Sequence, residues 1–511
     1  MGLLHGYLWF RLVRATTEPG RARRRLTALT VLLAVLPVAA VVTRGVLPLE
    51  AATPLSWIGF IWLGVALYAF LALLALEPVR LIGNALIRRQ ARSVLPSGPR
   101  RGPRRDDAAA QGDGGTAPGR GAVREDRSVI APRRDDEAAQ LDGGTAPDRG
   151  AVREDRDVIV PSGARRVPRR DDAAAQGDGG TAPGGGAVRE DRDVIVPSGA
   201  RRAPRRDDEA APLEPGTAPG RGAVRQDRNV LARRRFLARG LAVTAGAVAL
   251  GTAGTGAYFA NSSPVVRRVP VTLRGLDPAL DGLRIVTFAD GHLSATYGGR
   301  RFERVVELVN EQRPDVVAIV GDLVDGGVDE LREEVAPLAD LVSEQGVFFV
   351  TGNHEYFVDT QAWMRHLPTL GVDVLRNERV AIRRGGASFD LAGIDDRTAA
   401  ASGLPGHGAD LEAALDGRDD ATPVVLLAHQ PAQVEQAAAA GVGLQLSGHT
   451  HGGQLWPFDY AVRLDQPAVE GLSRHGDTQL YVTSGAGYWG PPMRIGARPE
   501  VTVVELRAPR S

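Results

Sequence analysis

Residues 316–325 read Val-Val-Ala-Ile-Val-Gly-Asp-Leu-Val-Asp, an apolar run rich in β-branched side chains followed by a glycine and two carboxylates. Such a run predicts a buried strand that ends at the glycine. Amphipathic stretches at residues 301–312 and 330–343 flank this run and predict helices. Further apolar runs alternate with such stretches across residues 270–511, and this alternation predicts one mixed α/β domain.

The predicted strands of this domain end in residues that can carry chemistry. In chain order, the strand ends carry Asp290-Gly291-His292, Gly321-Asp322-Leu323-Val324-Asp325, Gly352-Asn353-His354-Glu355, His429 and Gly448-His449-Thr450-His451. Ligands bind at the carboxyl ends of strands in open α/β sheets, because the loops there converge over one edge. A single such histidine would be an ordinary surface residue, but five ordered strand ends predict one functional site.

The residue types narrow the chemistry of that site. The 511 residues include no cysteine and no lysine, which excludes thiol catalysis, disulfides, thiolate zinc sites and Schiff-base chemistry. Asp, His and Asn donors suit Mn, Fe or Zn. The Asp-x-His and His-x-His spacings place both side chains of a pair on one face of an extended chain. There are more donors than one ion needs, so we expect two divalent ions that activate water for attack at phosphorus.

The ordered set Asp-x-His, Gly-Asp-x-x-Asp, Gly-Asn-His-Glu, His and Gly-His-x-His resembles the calcineurin-like metallophosphoesterase superfamily. It looks closest to a membrane-anchored bacterial branch that includes a UDP-diacylglucosamine pyrophosphohydrolase and twin-arginine-exported phosphoesterases. The resemblance covers about residues 280–507 and implies a four-layer α/β/β/α sandwich. Gly291 departs from the pattern, because the family usually has an apolar residue at this position.

The resemblance also implies roles for single residues. It implies that one metal ion is held by Asp290, His292 and His451, and the other by Asn353, His429 and His449, with Asp322 as the bridging carboxylate. By the same resemblance, His354 would act as a general acid or orient the phosphoryl group. Asp325 would fix the orientation of a ligand rather than bind metal itself.

The first 92 residues predict a membrane hairpin. Residues 26–43 and 51–76 are apolar runs without charge, each long enough for a hydrocarbon core that takes about 20 helical residues to cross. The alternative is a pair of buried core helices, which the lack of a polar face disfavours. Arginines precede the first run and follow the second, so the positive-inside rule predicts that both flanks are cytoplasmic.

Residues 93–232 form a degenerate repeat in which Arg-Arg-Asp-Asp recurs at Arg104, Arg133, Arg169 and Arg205. Each unit offers only a short apolar cluster among Gly, Pro, Arg and Asp, too little to offset backbone ordering of about 1–2 kcal/mol per residue. This composition predicts a disordered linker. The alternative is a cytoplasmic docking array in which each apolar cluster is a weak site of a multivalent set.

Residues 233–262 open with Arg233-Arg234-Arg235-Phe236-Leu237 and continue as an uncharged run rich in Ala, Gly and Thr. The pattern resembles a twin-arginine export signal, which implies the twin-arginine machinery as a partner. The alternative is an ordinary third span. Both interpretations place the domain at 270–511 on the extracytoplasmic side. Because no clean cleavage site follows the apolar run, we expect residues 233–262 to remain as a membrane anchor.

Together these features predict a multi-pass protein of the cell membrane whose extracytoplasmic domain hydrolyses a phosphodiester, pyrophosphate or phosphomonoester of a lipid-linked or envelope substrate. The aromatic residues on Gly/Pro-rich loops form either an apolar lip for a lipid or nucleoside or ordinary loop packing: Trp456, Phe458, Tyr488 and Trp489. Among them, Trp456 and Tyr488 are the candidate substrate contacts. A nuclease is a second candidate, but 62 basic against 61 acidic residues and no basic stripe argue against nucleic acid. A membrane scaffold or sensor that recruits partners through its linker is a third.

Overall fold

Three helices of the computed structural model are long and apolar enough to cross a bilayer. The structure describes residues 1–44, 46–93 and 221–510, so most of the predicted linker, with its docking-array alternative, lies outside the described residues. Helix α2, Arg21–Arg44, contains the run at 26–43, and α3, Leu49–Ala75, spans most of the run at 51–76. Two shorter helical pieces, α1 at Gly2–Leu8 and a π-helical turn at Trp9–Arg14, precede them, and α4 follows at Glu77–Ser93.

The third apolar helix, α5, spans Arg221–Ala260 and therefore begins earlier than the anchor segment predicted at 233–262. Residues 221–232, which the sequence places at the end of the predicted linker, lie within this helix. The physical reason is that no proline follows Pro219 before the apolar run, so the helix continues through Ala, Arg, Gln and Leu, which are good helix formers.

Residues 265–507 form two six-stranded sheets with strand order β1-β12-β2-β3-β4-β5 and β10-β11-β9-β8-β7-β6. The first sheet comprises β1 Val265–Thr272, β2 Arg284–Phe288, β3 Val316–Val320, β4 Val347–Val350, β5 Asp373–Val374 and β12 Glu500–Arg507. The second comprises β6 Glu378–Arg384, β7 Ala387–Gly393, β8 Val424–Leu427, β9 Leu444–Ser447, β10 Gly471–His475 and β11 Thr478–Val482. The central strands β2 to β5 run parallel, as do β7, β8, β9 and β11. Their carboxyl ends therefore lie at common edges.

The alternation of side chains along the strands builds a layered core. In β3, Val316, Ala318 and Val320 lie in the cluster between the sheets, while Val317 and Ile319 face the helices. The helices on that outer face are α6 Arg300–Glu311, α7 Val328–Val335 and α8 Thr360–His366. The second sheet carries α9 Leu411–Leu415 and α10 Val434–Ala439 on its own outer face. A period of two thus gives the central strands two buried faces, and the predicted mixed α/β fold is confirmed.

Several element boundaries differ from those expected from the sequence. The helix predicted at 330–343 ends at Val335 and continues as a 3₁₀ turn at Ala336–Asp340, because Pro337 cannot donate a helical hydrogen bond. The strands β1, β6 and β10 were not predicted. They are edge or near-edge strands with charged residues on the exposed face, so they lack the continuous apolar signal of the central strands.

Candidate metal centre

The five predicted strand ends meet at one edge of the two sheets. The ligand atoms of Asp290, His292 and His451 lie within 4.8 Å of one another, and so do those of Asp322, His429 and His449. A third group of the same closeness joins Asp322 and His292 to His354. Asp322 therefore lies between the two sets, as a bridging carboxylate must.

Donor atoms approach one another closely at the centre. The Nε2 atoms of His292 and His451 are 2.9 Å apart. The Asp322 carboxylate has its Oδ2 3.1 Å from His429 Nε2 and 3.8 Å from His292 Nε2. His451 Nε2 lies 3.6 Å from Asp290 Oδ1. Lone-pair donors converge here at distances that suit a shared cation.

The buried Asn353 Oδ1 has no hydrogen-bond partner among the described residues, and the buried His429 Nε2 has only the Asp322 carboxylate beside it, at 3.1 Å. A buried polar atom without a partner costs about 1–3 kcal/mol, so native proteins rarely keep one without a reason. Both atoms are donors that Mn, Fe and Zn accept. The donor set and these two atoms fit the expected divalent ions, because coordination supplies the missing partner.

The backbone at these strand ends adopts an uncommon conformation. A positive φ, which non-glycine residues seldom adopt, occurs at Asp290, His292, Asp322, His449 and His451. Such strain clusters at functional sites, where surrounding structure over-determines it. The turns formed by these residues interrupt the alternation of side chains along the strands, so that neighbouring ligands can point toward the same centre.

Hydrogen bonds from outside the donor set orient the imidazole rings. Asp325 Oδ1 lies 2.8 Å from His292 Nδ1 and 2.7 Å from His354 Nδ1. His429 Nδ1 donates to the carbonyl oxygen of Val320 at 2.8 Å. In the neutral rings of His292 and His429, an Nδ1–H held in this way leaves the lone pair of Nε2 directed to the centre. Asp325 thus contacts two histidines and lies where an orienting carboxylate is expected.

The charges of the site shift the pKa values of its carboxyl groups in opposite directions. Burial raises the pKa of Asp290 to about 6, although neighbouring histidines oppose this shift. Burial alone would also raise the pKa of Asp322, but His429 outweighs it and holds that pKa well below its usual range. For Asp325, His292 and His354 likewise outweigh burial and lower the pKa. Asp322 and Asp325 therefore remain ionised, as a bridging and an orienting carboxylate require.

The pKa values of the histidine side chains also shift in opposite directions. Burial would lower the pKa of His354, but its bond to Asp325 and the nearby charge of Asp322 raise the pKa to about 9. Burial and then His429 lower the pKa of His449 to about 4. Burial and the cation of Arg494 lower the pKa of His451. His449 and His451 are thus neutral, the form in which imidazole binds metal.

The site can be compared with known proteins. A calcineurin-like phosphoesterase family profile matches residues 283–453. A metallophosphoesterase of Bacillus subtilis is 31% identical over 292 residues, covering 54% of this chain and 98% of that protein. A Helicobacter pylori metallophosphoesterase is 38% identical over 259 residues, covering 50% of this chain and 68% of the bacterial protein. The chain belongs to the calcineurin-like phosphoesterase family.

One relative within this family joins the same domain to a membrane. A transmembrane protein with metallophosphoesterase domain from Danio rerio is 42% identical over 259 residues, covering 49% of this chain. The aligned part spans 59% of the Danio protein, so the match leaves the rest of that protein uncovered. The three apolar helices of the present chain agree with membrane association.

The family pattern is broken at Gly291, and the structure gives a reason. A Cβ atom at this position would lie 3.2 Å from the carbonyl oxygen of Leu323 and 3.4 Å from its side chain. Leu323 is itself buried, at 1% exposure. Leu323 of the neighbouring strand end therefore packs directly against Gly291 and leaves little room for a side chain there.

The predicted aromatic residues are only partly at the site. Trp489 lies edge-on to His354, with ring centroids 5.6 Å apart, and Phe357 does the same at 5.2 Å. Both are exposed, at 57% and 72%. Tyr488 instead lies in the core at 1% exposure and donates a hydrogen bond to the Thr296 carbonyl at 2.5 Å, so it is not available as a substrate contact. Phe357 was missed because its sequence neighbourhood gave it no distinguishing pattern.

Glu355 was quoted as part of a motif but received no role, and the structure shows what it does. Its side chain is fully buried, and its Oε1 atom accepts from the amides of Leu323 and Val324 at 2.8 and 3.3 Å. The Oε2 atom accepts from the amides of Asp322 and Gly352 at 3.0 and 2.6 Å. Glu355 thus ties the loop after β3 to the loop after β4. The available signal in the sequence was its position directly after His354 in Gly352-Asn353-His354-Glu355.

Arg494 has a comparable role on the opposite side of the centre. It is fully buried and donates to the carbonyl oxygens of His451 and Ser484 at 2.9 and 2.6 Å. Its Nη2 lies 3.2 Å from His451 Nδ1. An arginine in a Gly/Pro-rich loop gives no sequence signal of such burial, so this contact could not be predicted.

The apolar helices contact the domain beside the candidate metal centre. Arg44, at the end of α2, has its Nη2 3.7 Å from Asp325 Oδ2. The hydroxyl of Tyr68 in α3 donates to the Trp456 carbonyl at 3.1 Å. Met493 packs in one cluster with residues of α3 and α5. The backbone of Trp456 therefore contacts α3, while its side chain is 55% exposed.

Proposed function

We propose that this chain is a membrane-anchored, metal-dependent phosphoester hydrolase whose substrate is a lipid-linked phosphate. The observation that supports it most directly is the convergence of histidine and carboxylate ligand atoms in groups that share Asp322, together with the buried Asn353 Oδ1, which has no hydrogen-bond partner among the described residues. When bound, two divalent ions would activate water and neutralise charge on a phosphoryl group. Asp290, His292 and His451 would hold one ion, and Asn353, His429 and His449 the other, with Asp322 between them.

The remaining residues bind, orient and move protons. Asp325 fixes the orientation of the His292 and His354 rings through their Nδ1 atoms. His354 can therefore present its Nε2–H to the leaving oxygen as general acid. Glu355 fixes the backbone that carries Asp322. The exposed rings of Phe357 and Trp489 beside His354 exclude water from one side of the reacting group.

The arrangement of the helices supports a substrate that arrives from the membrane. Arg44 at one end of α2 lies beside Asp325, whereas Arg21–Arg25 mark the other end. Their separation of about 20 residues corresponds to roughly 30 Å of helix, the thickness of a hydrocarbon core. The metal centre would therefore lie at one membrane surface and the arginines at the other, which by the positive-inside rule is the cytoplasmic one.

This topology makes the protein a multi-pass membrane protein with an extracytoplasmic catalytic domain. The hairpin within residues 1–92 and the anchor within 233–262 hold the domain at 270–511 on that surface, and the Arg233–Leu237 motif supports export by the twin-arginine machinery. Protease protection in right-side-out vesicles tests it. Cleavage within the domain is expected, and complete shielding would contradict the topology.

The activity is tested with the full chain in detergent, using Mn-stimulated hydrolysis of an aryl phosphodiester. We expect Asp322→Ala and His451→Ala to abolish turnover, because each removes a ligand. His366→Ala and His475→Ala are the matched controls, since both histidines lie outside the centre. Turnover by the Asp322 variant at the parental rate would refute the site. Lipid and water-soluble phosphates with the same head group, compared in nanodiscs, test the substrate class: equal kcat/KM would refute the lipid assignment.

A further inference from the structure

A second cavity lies at the end of the helical bundle that is remote from the metal centre. It has a volume of about 290 Å³ and is lined by residues from four segments, the π-helical turn, α2, α4 and α5. Six arginines line it, namely Arg11, Arg14, Arg23, Arg80, Arg234 and Arg235. The Asp322 centre plays no part in it, so its function is separate from hydrolysis.

The positive charge of this arginine cavity is only partly compensated. Glu77 pairs with Arg11 and with Arg80, the latter at 2.6 Å, and Glu18 pairs with Arg235. These two carboxylates leave four positive charges uncompensated among the described residues. Like charges held together repel one another, so an arrangement of this kind favours a bound anion.

Three of the six arginines have no carboxylate partner in the part of the chain that the structure describes: Arg14, Arg23 and Arg234. The Nε atom of Arg234 is buried and has no hydrogen-bond partner there. Among the described residues, Arg23 donates only to Thr17 and to the carbonyl of Arg14. Guanidinium groups with N–H donors that no described carboxylate uses therefore line the arginine cavity.

The positive-inside rule alone does not produce this geometry. Arginines that only mark a cytoplasmic flank extend into water, as the exposed Arg24 and Arg25 of the same helix do. The six lining arginines instead converge from three parts of the chain, residues 11–23, α4 and α5. Planar guanidinium groups bind phosphate oxygens in pairs, and such charge-assisted bonds are about twice as strong as neutral ones.

The neighbouring surface indicates where the phosphate comes from. A wider groove of about 1150 Å³ between α4 and α5 shares Arg235 and Leu237 with the arginine cavity. Apolar side chains line much of this groove, including Leu86, Ile87, Phe236 and Leu241. A polar cavity that continues into an apolar groove at a membrane surface matches a phosphate head group with its acyl chains.

We propose that the arginine cavity binds the phosphate of an anionic phospholipid in the leaflet opposite the metal centre, with the acyl chains in the groove between α4 and α5. The twin-arginine-like motif thereby gains a role in the folded protein, because Arg234 and Arg235 face the cavity. A bound lipid would tie α5 to the π-helical turn and α4 through its phosphate oxygens.

The test uses the full chain in neutral detergent with equal amounts of phosphatidylglycerol and phosphatidylcholine of the same acyl length, and counts retained lipids by native mass spectrometry. We expect preferential retention of phosphatidylglycerol. The double variant Arg14→Gln/Arg234→Gln should lower this retention by about tenfold or more, since two charge-assisted contacts are lost. Arg24→Gln/Arg25→Gln removes the same charge at the same membrane face and should leave retention unchanged. Restoration by Arg14→Lys/Arg234→Lys would show that the loss reflects charge rather than unfolding.

Three outcomes would overturn the proposal. Equal loss in the Arg24/Arg25 control would mean that diffuse surface charge attracts the lipid. Equal retention of phosphatidylcholine would mean that the phosphate diester and acyl chains suffice without net charge. Displacement of phosphatidylglycerol by millimolar inorganic phosphate at low lipid load would mean that the cavity takes a soluble phosphate instead.

Discussion

Replacement of Glu355 by glutamine tests how the metal centre is held together. Each carboxylate oxygen of Glu355 accepts two backbone N–H groups, from Leu323 and Val324 on one side and from Asp322 and Gly352 on the other. Glutamine has the same shape, but its NH₂ group must face one of these two pairs. In either orientation two buried amides lose their acceptor.

The magnitude follows from those two amides. A buried donor left without a partner costs about 1–3 kcal/mol, which gives about 2–6 kcal/mol for the pair. Burial and the charge of Asp322 raise the pKa of Glu355 to about 7, so removing its charge also relieves repulsion. We therefore expect the lower part of the range, about 2–4 kcal/mol, which for a domain of this size lowers Tm by about 4–16 °C.

Thermal unfolding of the full chain in detergent measures this loss, and metal analysis after dialysis measures its effect on the centre. Glu355→Gln should also bind less metal, because the backbone of Asp322 loses its support. The matched control is Glu303→Gln, the same chemical change at an exposed residue of α6. If the two variants melt together and keep equal metal, the idea that Glu355 supports the loop is wrong.

Four further predictions concern the same centre. His354→Gln should lower kcat by about 10²–10⁴-fold at unchanged metal content; loss of metal in mass-spectrometric analysis would make His354 a ligand instead. Asp325→Asn should weaken metal binding by about 10–100-fold in calorimetry, because two rings lose an ionic acceptor; parental affinity would contradict this role. Gly352→Ala should lose both metal and stability, since its Cβ would collide with the Asp322 carboxylate, whereas Gly327→Ala, whose Cβ would meet no described atom within 4 Å, should keep its metal. Chelation should lower Tm in a metal-dependent way that readdition reverses; a Tm that ignores the metal concentration would argue against a folded-state site.

The central strands and the order of the candidate ligands could be predicted because short stretches of the sequence determine both. An apolar run such as residues 316–320 indicates a strand buried on both faces without reference to the rest of the chain. The carboxyl ends of parallel strands then meet by geometry, which is why Asp290 and Asp322 could be placed together although 32 residues separate them.

The supporting residues could not be predicted, because their roles depend on contacts between distant segments. Arg494 reaches His451 across a loop whose path no local pattern specifies. Arg44 comes to Asp325 only because the helical hairpin lies beside the domain. Tyr488 failed as a substrate contact for the same reason, since an aromatic residue on a Gly/Pro-rich segment can face either the solvent or the core.

The strained backbone explains why these unpredicted residues matter to the site. A positive φ at residues such as Asp290 and Asp322 costs about 1–3 kcal/mol each, and the local sequence offers no means to enforce it. Hydrogen bonds must therefore impose it from outside. Glu355 receives four amides from the two loops around Asp322, and Arg494 binds carbonyls of the loops around His451. A fully buried acid and a fully buried base, one on each side of the centre, thus hold turns that would otherwise relax, so the ligand geometry depends on residues that bind no metal.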